Sequence, residues 1–282
     1  MVSVVKLIRP GQWIKNLFVF APLLFSANLL VTKDLIAAIT TFAAFSLVSS
    51  AVYVFNDLVD IDSDRLHETK RHTRMLAAGL VSKPMAIGTA SLFLLASALL
   101  SVSMPKVLVV IGIYVLVNVA YSFWLKHQPV LDIFCIATGF VLRVTAGAQA
   151  INVELSAWMA VTTFSLALFL AAMKRKAELK QSAGAGRLVL QSYTPELVSM
   201  FATVSASSAV VFYSLYCLST KPAMTVTIPV VLFGIMRYWF VSDKSERSQN
   251  PSDTIFRDWQ LALAALVWLA LSASALTSTS LW

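Results

Sequence analysis

Four aspartates within eight residues form the part of the chain whose chemistry is easiest to interpret: Asp57, Asp60, Asp62 and Asp64. At about 100° per residue on an α-helix, Asp57, Asp60 and Asp64 point in directions within about 60° of one another. Asn56 lies on the flank of the same face. Asp62 points away from that face if the helix continues through the segment. The spacing therefore predicts three carboxylates on one helical face.

Three neighbouring carboxylates repel one another unless a cation neutralises them. Their hard oxygen atoms suit Mg²⁺, which proteins usually bind through one or two carboxylates together with substrate phosphates. Three basic residues, Lys70, Arg71 and Arg74, follow the aspartates. Acidic side chains for a metal and basic side chains for phosphates are what a diphosphate substrate requires. The segment therefore predicts a magnesium-diphosphate site in which the three aspartates of that face are the catalytic metal ligands.

The composition places this segment in a membrane protein. Hydrophobic residues make up 58% of the 282 residues and charged residues 13%, whereas a soluble domain has about 25% charged residues. The mean hydropathy is +0.77, so a soluble globule could not bury this much apolar surface. A formal net charge of +8 would suit nucleic acid in a soluble protein. Here it favours anionic lipid headgroups or an anionic substrate, with no nucleic-acid partner.

Nine apolar runs approach the length that a helix needs to cross the hydrocarbon core of a bilayer, roughly 20 residues. They lie near residues 16–31, 35–55, 86–104, 107–124, 130–150, 156–173, 197–218, 224–241 and 260–280. Their hydrophobicity does not alternate, so helices are expected. The predicted fold class is an all-α, polytopic membrane protein with about nine transmembrane helices. We expect residues 1–282 to form a single transmembrane domain with two charged catalytic loops, 56–85 and 174–196.

The distribution of positive charge predicts the orientation of these helices. With a cytoplasmic N-terminus, 18 of the 22 lysine and arginine residues fall in inside segments and three fall outside, while Arg143 lies within a span. This asymmetry agrees with the positive-inside rule. We therefore expect a plasma-membrane (inner-membrane) protein whose charged loops and active site face the cytoplasm and whose C-terminus is external.

The motif Asn56-Asp57-x-x-Asp60-x-x-x-Asp64 resembles the first aspartate-rich motif of the UbiA-type intramembrane prenyltransferase superfamily. The resemblance implies a bundle of nine helices with a magnesium-diphosphate site at the cytoplasmic side. Members that prenylate aromatic rings generally carry a second Asp-x-x-x-Asp motif after the sixth span. Here the corresponding stretch, 174–180, has one acidic and four basic residues. This departure argues against a second magnesium site of the usual kind.

Further stretches resemble a narrower branch of this superfamily, the polyprenyl-phosphate phosphoribosyltransferases of cell-wall precursor synthesis. They are Arg9-Pro10-x-Gln12-Trp13-x-Lys15-Asn16, Arg65-x-His67-x-x-Lys70-Arg71, Tyr121-Ser122-x-x-Leu125-Lys126-His127, Gly139-Phe140-x-x-Arg143 and Lys174-Arg175-x-Ala177-Glu178-Leu179. The resemblance implies a phosphoribosyl diphosphate donor and a polyprenyl (decaprenyl-type) phosphate acceptor, with diphosphate as the leaving group. A basic stretch in place of the second acidic motif suits two anionic substrates.

The resemblance, taken together with the charges, also predicts the substrate-binding residues. These have basic or polar side chains, most of them near the cytoplasmic ends of the spans: Lys15, Asn56, Lys70, Arg71, Arg74, Tyr121, Lys126, Lys174, Arg175 and Glu178. Glu178 is expected to orient a base or to complete a metal shell. Arg143, within the fifth span, either contacts a phosphate or forms a structural pair. Asp132 lies about 16 Å from it along the helix and is too distant to be its partner.

The lipid phosphate is ionised at neutral pH, so its oxygen is expected to attack C1 of the ribose without a general base, while Mg²⁺ neutralises the leaving diphosphate. Two other functions stay open. A UbiA-type prenyltransferase, moving a prenyl group from a prenyl diphosphate to an aromatic acceptor, would share the first motif but is expected to carry the second. A transporter of anionic substrates would place charges near the bilayer midplane, whereas these acids cluster at one end. The sequence leaves the oligomeric state open, and a homo-oligomer is one of the alternatives.

Overall fold

The computed structural model describes residues 2–26, 31–181, 188–244 and 257–277, and every regular element in these ranges is helical. The α-helices, numbered α1 to α12, are Val2–Ile8, Ala21–Phe25, Thr32–Val59, Ile61–Leu66, Lys70–Thr73, Lys83–Ser101, Pro105–Phe123, Leu131–Ala150, Ala157–Gln181, Pro195–Thr220, Ile228–Lys244 and Trp259–Thr277. Four 3₁₀ helices join them, at Pro10–Phe20, Leu125–His127, Leu188–Ser192 and Pro222–Thr227. The predicted all-α fold class is confirmed.

Eight helical stretches in the described ranges are long and apolar enough to cross a membrane, judged by length and composition. Local sequence explains where several of them begin. At the start of α10 the Thr194 side chain accepts a hydrogen bond from the Leu197 amide at 3.2 Å. Pro195 occupies the first helical position, where the missing N–H costs nothing. At the start of α6 the Ser82 hydroxyl accepts from the Met85 amide in the same way, at 3.4 Å.

The first apolar run differs from the other eight. Residues 16–20 of this run form the end of the Pro10–Phe20 3₁₀ helix, residues 21–25 form the short α2, and residues 27–30 lie outside the described ranges. A 3₁₀ helix rises about 2.0 Å per residue and an α-helix about 1.5 Å, so the two elements together cover about 30 Å. The nine runs of the sequence thus correspond to eight spanning helices and this extended segment.

The described chain groups into two compact units. The first unit comprises Met1–Lys126 and Leu142–Glu154, and the second comprises His127–Val141 and Leu155–Trp282. The first unit has a core of side chains that includes Val19, Phe45, Val48, Ile111 and Ala146. The core of the second unit includes Phe169, Ala172, Val198, Ala202 and Ile235. The single domain proposed from the sequence stays a prediction.

Both predicted catalytic loops begin with helix rather than loop. α3 ends at Val59, Asp60 leaves the helical conformation with φ −91° and ψ 4°, and α4 starts at the next residue. The Asp60 amide still donates to the Asn56 carbonyl at 2.9 Å, and the Asp64 amide donates to the Asp60 carbonyl at 2.8 Å. Because these i→i−4 bonds persist, the aspartates keep a nearly helical arrangement despite the break. In the other loop, α9 continues through Gln181, and residues 182–187 lie outside the described ranges.

Candidate active site

Asp57, in the last turn of α3, lies at the centre of a charged cluster in the first unit. The residue as a whole is 3% exposed. The Arg9 guanidinium donates to its Oδ1 atom, and Nη1 of Arg74 lies 3.4 Å from the same oxygen. Arg9 comes from the start of the Pro10–Phe20 segment and Arg74 directly follows α5. Two elements distant in sequence thus supply cations to one buried carboxylate.

The other two aspartates of the predicted face also have a lysine partner each. Nζ of Lys70 lies 3.3 Å from Oδ1 of Asp64, which is buried. Lys126, in the Leu125–His127 turn after α7, forms an ion pair with Asp60 and is itself only 8% exposed. A lysine buried to this extent depends on its carboxylate partner, because its charge is costly to desolvate without one.

Asp62 behaves as its helical direction predicts. Its side chain is 87% exposed, and the nearest cation, Nη1 of Arg65, is 3.7 Å away. By contrast, the side chains of Asp57 and Asp64 are 4% and 6% exposed. The expectation that one of the four aspartates points away from the cluster is therefore confirmed.

Arg9 is a member of the cluster that was not among the residues predicted for the site, although it begins one of the quoted motifs. Its backbone is left-handed, with φ 52° and ψ 61°, a conformation that is uncommon for a residue other than glycine. Its guanidinium also stacks on the Tyr53 ring at 5.3 Å. Backbone strain of this kind costs about 1–3 kcal/mol and occurs mostly at functional sites, where surrounding contacts maintain it. An arginine before proline, close to an acidic motif only in space, gives little signal in sequence.

The donor set of the cluster fits magnesium together with an anionic substrate. Four cations, from Arg9, Arg74, Lys70 and Lys126, meet three carboxylates, which leaves one excess positive charge for phosphate groups. In the described ranges no group of three His, Cys, Asp or Glu side chains is arranged so that it could hold a metal ion. Magnesium commonly needs only one or two carboxylates, with phosphates and water completing its shell. The aspartate oxygens are hard ligands of the required type.

The remaining predicted residues of this region have different positions. Asn56 accepts a hydrogen bond from the Ser122 hydroxyl at 3.1 Å, which joins the acidic motif to the last turn of α7, where Tyr121 also lies. Lys15 lies on the Pro10–Phe20 segment. Arg71 is exposed, and its Nε donates to Nε2 of His72 at 2.9 Å. Arg71 is therefore not among the cations that contact the carboxylates, and its substrate-binding role stays a prediction.

Arg143 lies in a buried polar network of the first unit. Its side chain donates to Oδ1 of Asn16 at 2.7 Å and to the Tyr114 hydroxyl at 3.1 Å. The guanidinium also lies 4.9 Å from the centre of the Tyr114 ring and 5.8 Å from that of Phe45. These partners come from elements other than α8. The sequence predicts this, because Asp132, on the same helix, is too distant to be the partner of Arg143. Of the two alternatives for Arg143, the contacts in the structure are those of a structural partner.

The basic stretch after the sixth apolar run belongs to a network in the second unit. Arg175 is fully buried, and its guanidinium donates to Oδ2 of Asp132 and to Oε2 of Glu178, both at 2.6 Å. The Tyr193 hydroxyl donates to the other oxygen of Asp132 at 2.6 Å. Burial, followed by this hydrogen bond, raises the pKa of Tyr193. Because its charge is directed at two carboxylates, Arg175 supports this unit rather than presenting a cation to phosphate.

Lys174 and Glu178 share one face of α9, as their spacing predicts. Nζ of Lys174 lies 3.8 Å from Oε1 of Glu178, and the two side chains are 28% and 14% exposed. Lys174 is therefore the accessible cation of the pair Lys174 and Arg175. Sequence reasoning missed Asp132 and Tyr193 as members of this network, because neither is close in sequence to the basic stretch.

Known proteins are similar to this chain over nearly its whole length. The UbiA prenyltransferase family matches residues 17–258. The decaprenyl-phosphate phosphoribosyltransferase of Mycolicibacterium smegmatis is 35% identical, covering 97% of this chain and 92% of its own length. The enzyme of the same name from Mycobacterium tuberculosis is 34% identical, covering 95% and 92%. A UbiA homolog from Archaeoglobus fulgidus bound to GPP and Mg²⁺ has a TM-score of 0.77 at 18% identity, covering 98% and 99%. This likeness concerns the fold.

Proposed function

This chain belongs to the UbiA prenyltransferase family, and on that premise we propose that it transfers a 5-phosphoribosyl group from phosphoribosyl diphosphate to a polyprenyl phosphate of the decaprenyl type, releasing diphosphate. The observation that carries the proposal is the 34–35% identity, over at least 95% of the chain, to enzymes named for this reaction. The cluster around Asp57 supports the proposal, because it brings together acidic side chains for magnesium and basic side chains for a diphosphate. The same relatives make the chain a transferase rather than a transporter.

Asp57, Asp60 and Asp64 would hold Mg²⁺, whose chemistry when bound is to neutralise charge on the leaving diphosphate. The basic side chains around them would bind the phosphate oxygens by charge-assisted hydrogen bonds. Arg9 and Arg74 share Asp57, so both guanidinium groups are already directed to the place where the phosphates would bind. These groups orient the donor so that C1 of the ribose meets the acceptor phosphate oxygen. That oxygen is anionic at neutral pH, so no residue has to remove a proton from it.

Lys174 is proposed to bind one of the two anionic substrates. Lys174 is the partly exposed cation of the basic stretch, and Glu178 orients it from 3.8 Å. Arg175 has a different task in this proposal, because its ion pairs with Asp132 and Glu178 stabilise the end of α9 on which Lys174 lies. One metal and several cations suit a ribose 5-phosphate and a lipid phosphate.

Prenyl transfer from a prenyl diphosphate to an aromatic acceptor is the second candidate, and the family and the fold favour it. One assay separates the two. Purified protein with Mg²⁺ is given labelled phosphoribosyl diphosphate and decaprenyl phosphate, or geranyl diphosphate and 4-hydroxybenzoate. We expect lipid-linked phosphoribose from the first pair and no product from the second. Product from the aromatic pair alone would overturn the proposal.

The eight apolar helices and the family make this an integral membrane protein. We propose that it lies in the plasma membrane with the Asp57 cluster on the cytoplasmic side, because 18 of 22 basic residues then lie inside. Reporter fusions test this topology. The phosphatase reporter is active only outside the cytoplasm. A phosphatase fused after Trp282, which lies outside the described ranges, should therefore be active. A fusion within 67–69, between α4 and α5, should be inactive; the reverse pattern would contradict the proposed orientation.

A further inference from the structure

The Pro10–Phe20 segment is unusual because all eleven of its residues form a 3₁₀ helix. Runs of this helix longer than three or four residues are uncommon, since its hydrogen-bond geometry is poorer than that of an α-helix. Long 3₁₀ stretches often mark hinges or sequences under strain. Something other than local preference therefore keeps this segment extended.

Three polar contacts attach the segment to α3, and they run in opposite order along the two elements: Arg9 with Asp57, Trp13 Nε1 with Ser50 Oγ at 2.9 Å, and Asn16 Nδ2 with the hydroxyls of Ser46 at 3.1 Å and Ser49 at 3.2 Å. The segment thus lies antiparallel to α3 and is attached to it at Arg9, Trp13 and Asn16. The first contact of this series places Arg9 in the candidate active site.

The spacing of these contacts matches the 3₁₀ form better than an α-helix. From Arg9 to Asn16 the segment covers about 14 Å as a 3₁₀ helix and about 10.5 Å as an α-helix. Along α3, the partners of Asn16 lie about 12 Å (Ser49) and about 16 Å (Ser46) from Asp57. The 3₁₀ length falls between these values. An α-helical segment would be about 3.5 Å shorter than the 3₁₀ form and about 1.5 Å shorter than the distance from Asp57 to Ser49.

Helix α8 holds Asn16. Nε of Arg143 donates to Oδ1 of Asn16 at 2.7 Å, so the Asn16 amide is bound by α3 through its nitrogen and by α8 through its oxygen. One helical turn further along α8, Gly147 lies directly against the backbone of Val19. A Cβ atom at 147 would overlap the Val19 carbonyl oxygen and lie 2.9 Å from its carbonyl carbon. The glycine lets the two backbones approach, and the arginine sets the position of Asn16.

We propose that Arg143 is a positioning residue for the reaction: by holding Asn16 it keeps the Pro10–Phe20 segment in its extended 3₁₀ form and thereby keeps Arg9 on Asp57. The inference rests on the proposed function in that the Arg9 end binds diphosphate. The effect of Arg143 on the position of Arg9 does not depend on which acceptor the enzyme uses. Loss of the Arg143–Asn16 bond lets the segment relax towards an α-helix, which withdraws Arg9 by up to about 3.5 Å.

A double-mutant cycle tests this transmission. The affinity for inorganic diphosphate with Mg²⁺ is measured by calorimetry for Arg143→Gln, Arg9→Ala and the double variant. We expect about a tenfold or greater loss for either single variant and no further loss in the double variant. Residues this far apart normally act additively, so additive losses would overturn the proposal. Ser97→Ala is the matched control, because it removes a buried 2.9 Å bond to the Ala44 carbonyl of α3 without touching the segment; its affinity should be unchanged.

A distance measurement tests the mechanical step without any substrate. Spin labels at Gly11→Cys, where a side chain meets nothing within 4 Å, and at Leu66→Cys, which is 89% exposed, report on the segment and on α4. The native Cys135 and Cys217 are replaced by alanine. Arg143→Gln and, as a second variant acting on the same bond, Asn16→Ala should each shift the label distance by about 3 Å. An unchanged distance in both would overturn the proposal. If the unaltered protein fails to bind magnesium diphosphate, the proposed function fails while the distances still decide this inference.

Discussion

Asp57→Asn is expected to lower kcat/KM by about a hundredfold or more, the largest kinetic effect of any single aspartate replacement. Asn keeps the volume of the side chain but removes the charge that faces both Arg9 and Arg74. Each charge-assisted hydrogen bond contributes roughly 1.5–3 kcal/mol, and the variant loses a metal ligand as well. Initial rates with phosphoribosyl diphosphate over a range of Mg²⁺ concentrations would measure the loss, which excess Mg²⁺ should not fully restore.

Asp62→Asn is the matched control for this experiment. It makes the same chemical change five residues further along, at a side chain that is 87% exposed and 3.7 Å from its nearest cation. An exposed pair of this kind contributes about 0–1 kcal/mol, so near-normal rates are expected. Equal losses at Asp57 and Asp62 would show that the acidic segment acts through its total charge rather than through one face.

Arg175→Met should produce the largest loss of stability, about 3–5 kcal/mol. Met has a similar apolar stem but no charge, so the buried Asp132 and the largely buried Glu178 would lose their common cation. Removing one partner of a buried ion pair costs more than the pair contributes, because the remaining charge stays desolvated. Thermal unfolding of the detergent-solubilised protein would show the effect as a lower midpoint and a reduced yield of folded protein.

Lys174→Ala gives the contrasting result at the neighbouring position. Its 3.8 Å pair with Glu178 is partly exposed, so unfolding should shift little. The proposed contact with an anionic substrate should instead raise the KM for that substrate, by about ten- to a hundredfold. The assignment of structural and substrate-binding tasks to these two residues is reversed under two results together. Arg175→Met would fold normally and raise KM, while Lys174→Ala would fold poorly and leave KM unchanged.

The sequence determined those properties that depend on residues close together in the chain. Apolar runs give the eight spanning helices, because burial in lipid requires about 20 apolar residues wherever a helix crosses. The helical period separates Asp62 from the other three aspartates, and it places Lys174 and Glu178 on one face. The acidic motif and the stretches around it also indicated the family, which the comparison with known proteins confirmed.

The sequence did not predict the partners of these residues. Arg9 meets Asp57 across 48 residues, Lys126 meets Asp60 across 66, and Arg143 meets Asn16 across 127. Such contacts depend on how helices pack within each unit, and neither charge nor periodicity encodes which distant helix will be adjacent. For the same reason Arg175, which looked like a phosphate ligand in a basic stretch, is a buried partner of Asp132 from another helix.

The 3₁₀ form of the Pro10–Phe20 segment shows most directly how local sequence preference differs from what tertiary contacts select. In sequence, residues 16–20 of this segment begin one more apolar run, and local preference favours an α-helix over a long 3₁₀ helix. Contacts of Arg9 and Asn16 with α3 and the close approach of Gly147 to Val19 select the longer form. The sequence thus determined which chemistry the protein carries. Only the tertiary structure decided which side chains meet, because those contacts form between helices that are far apart in the chain.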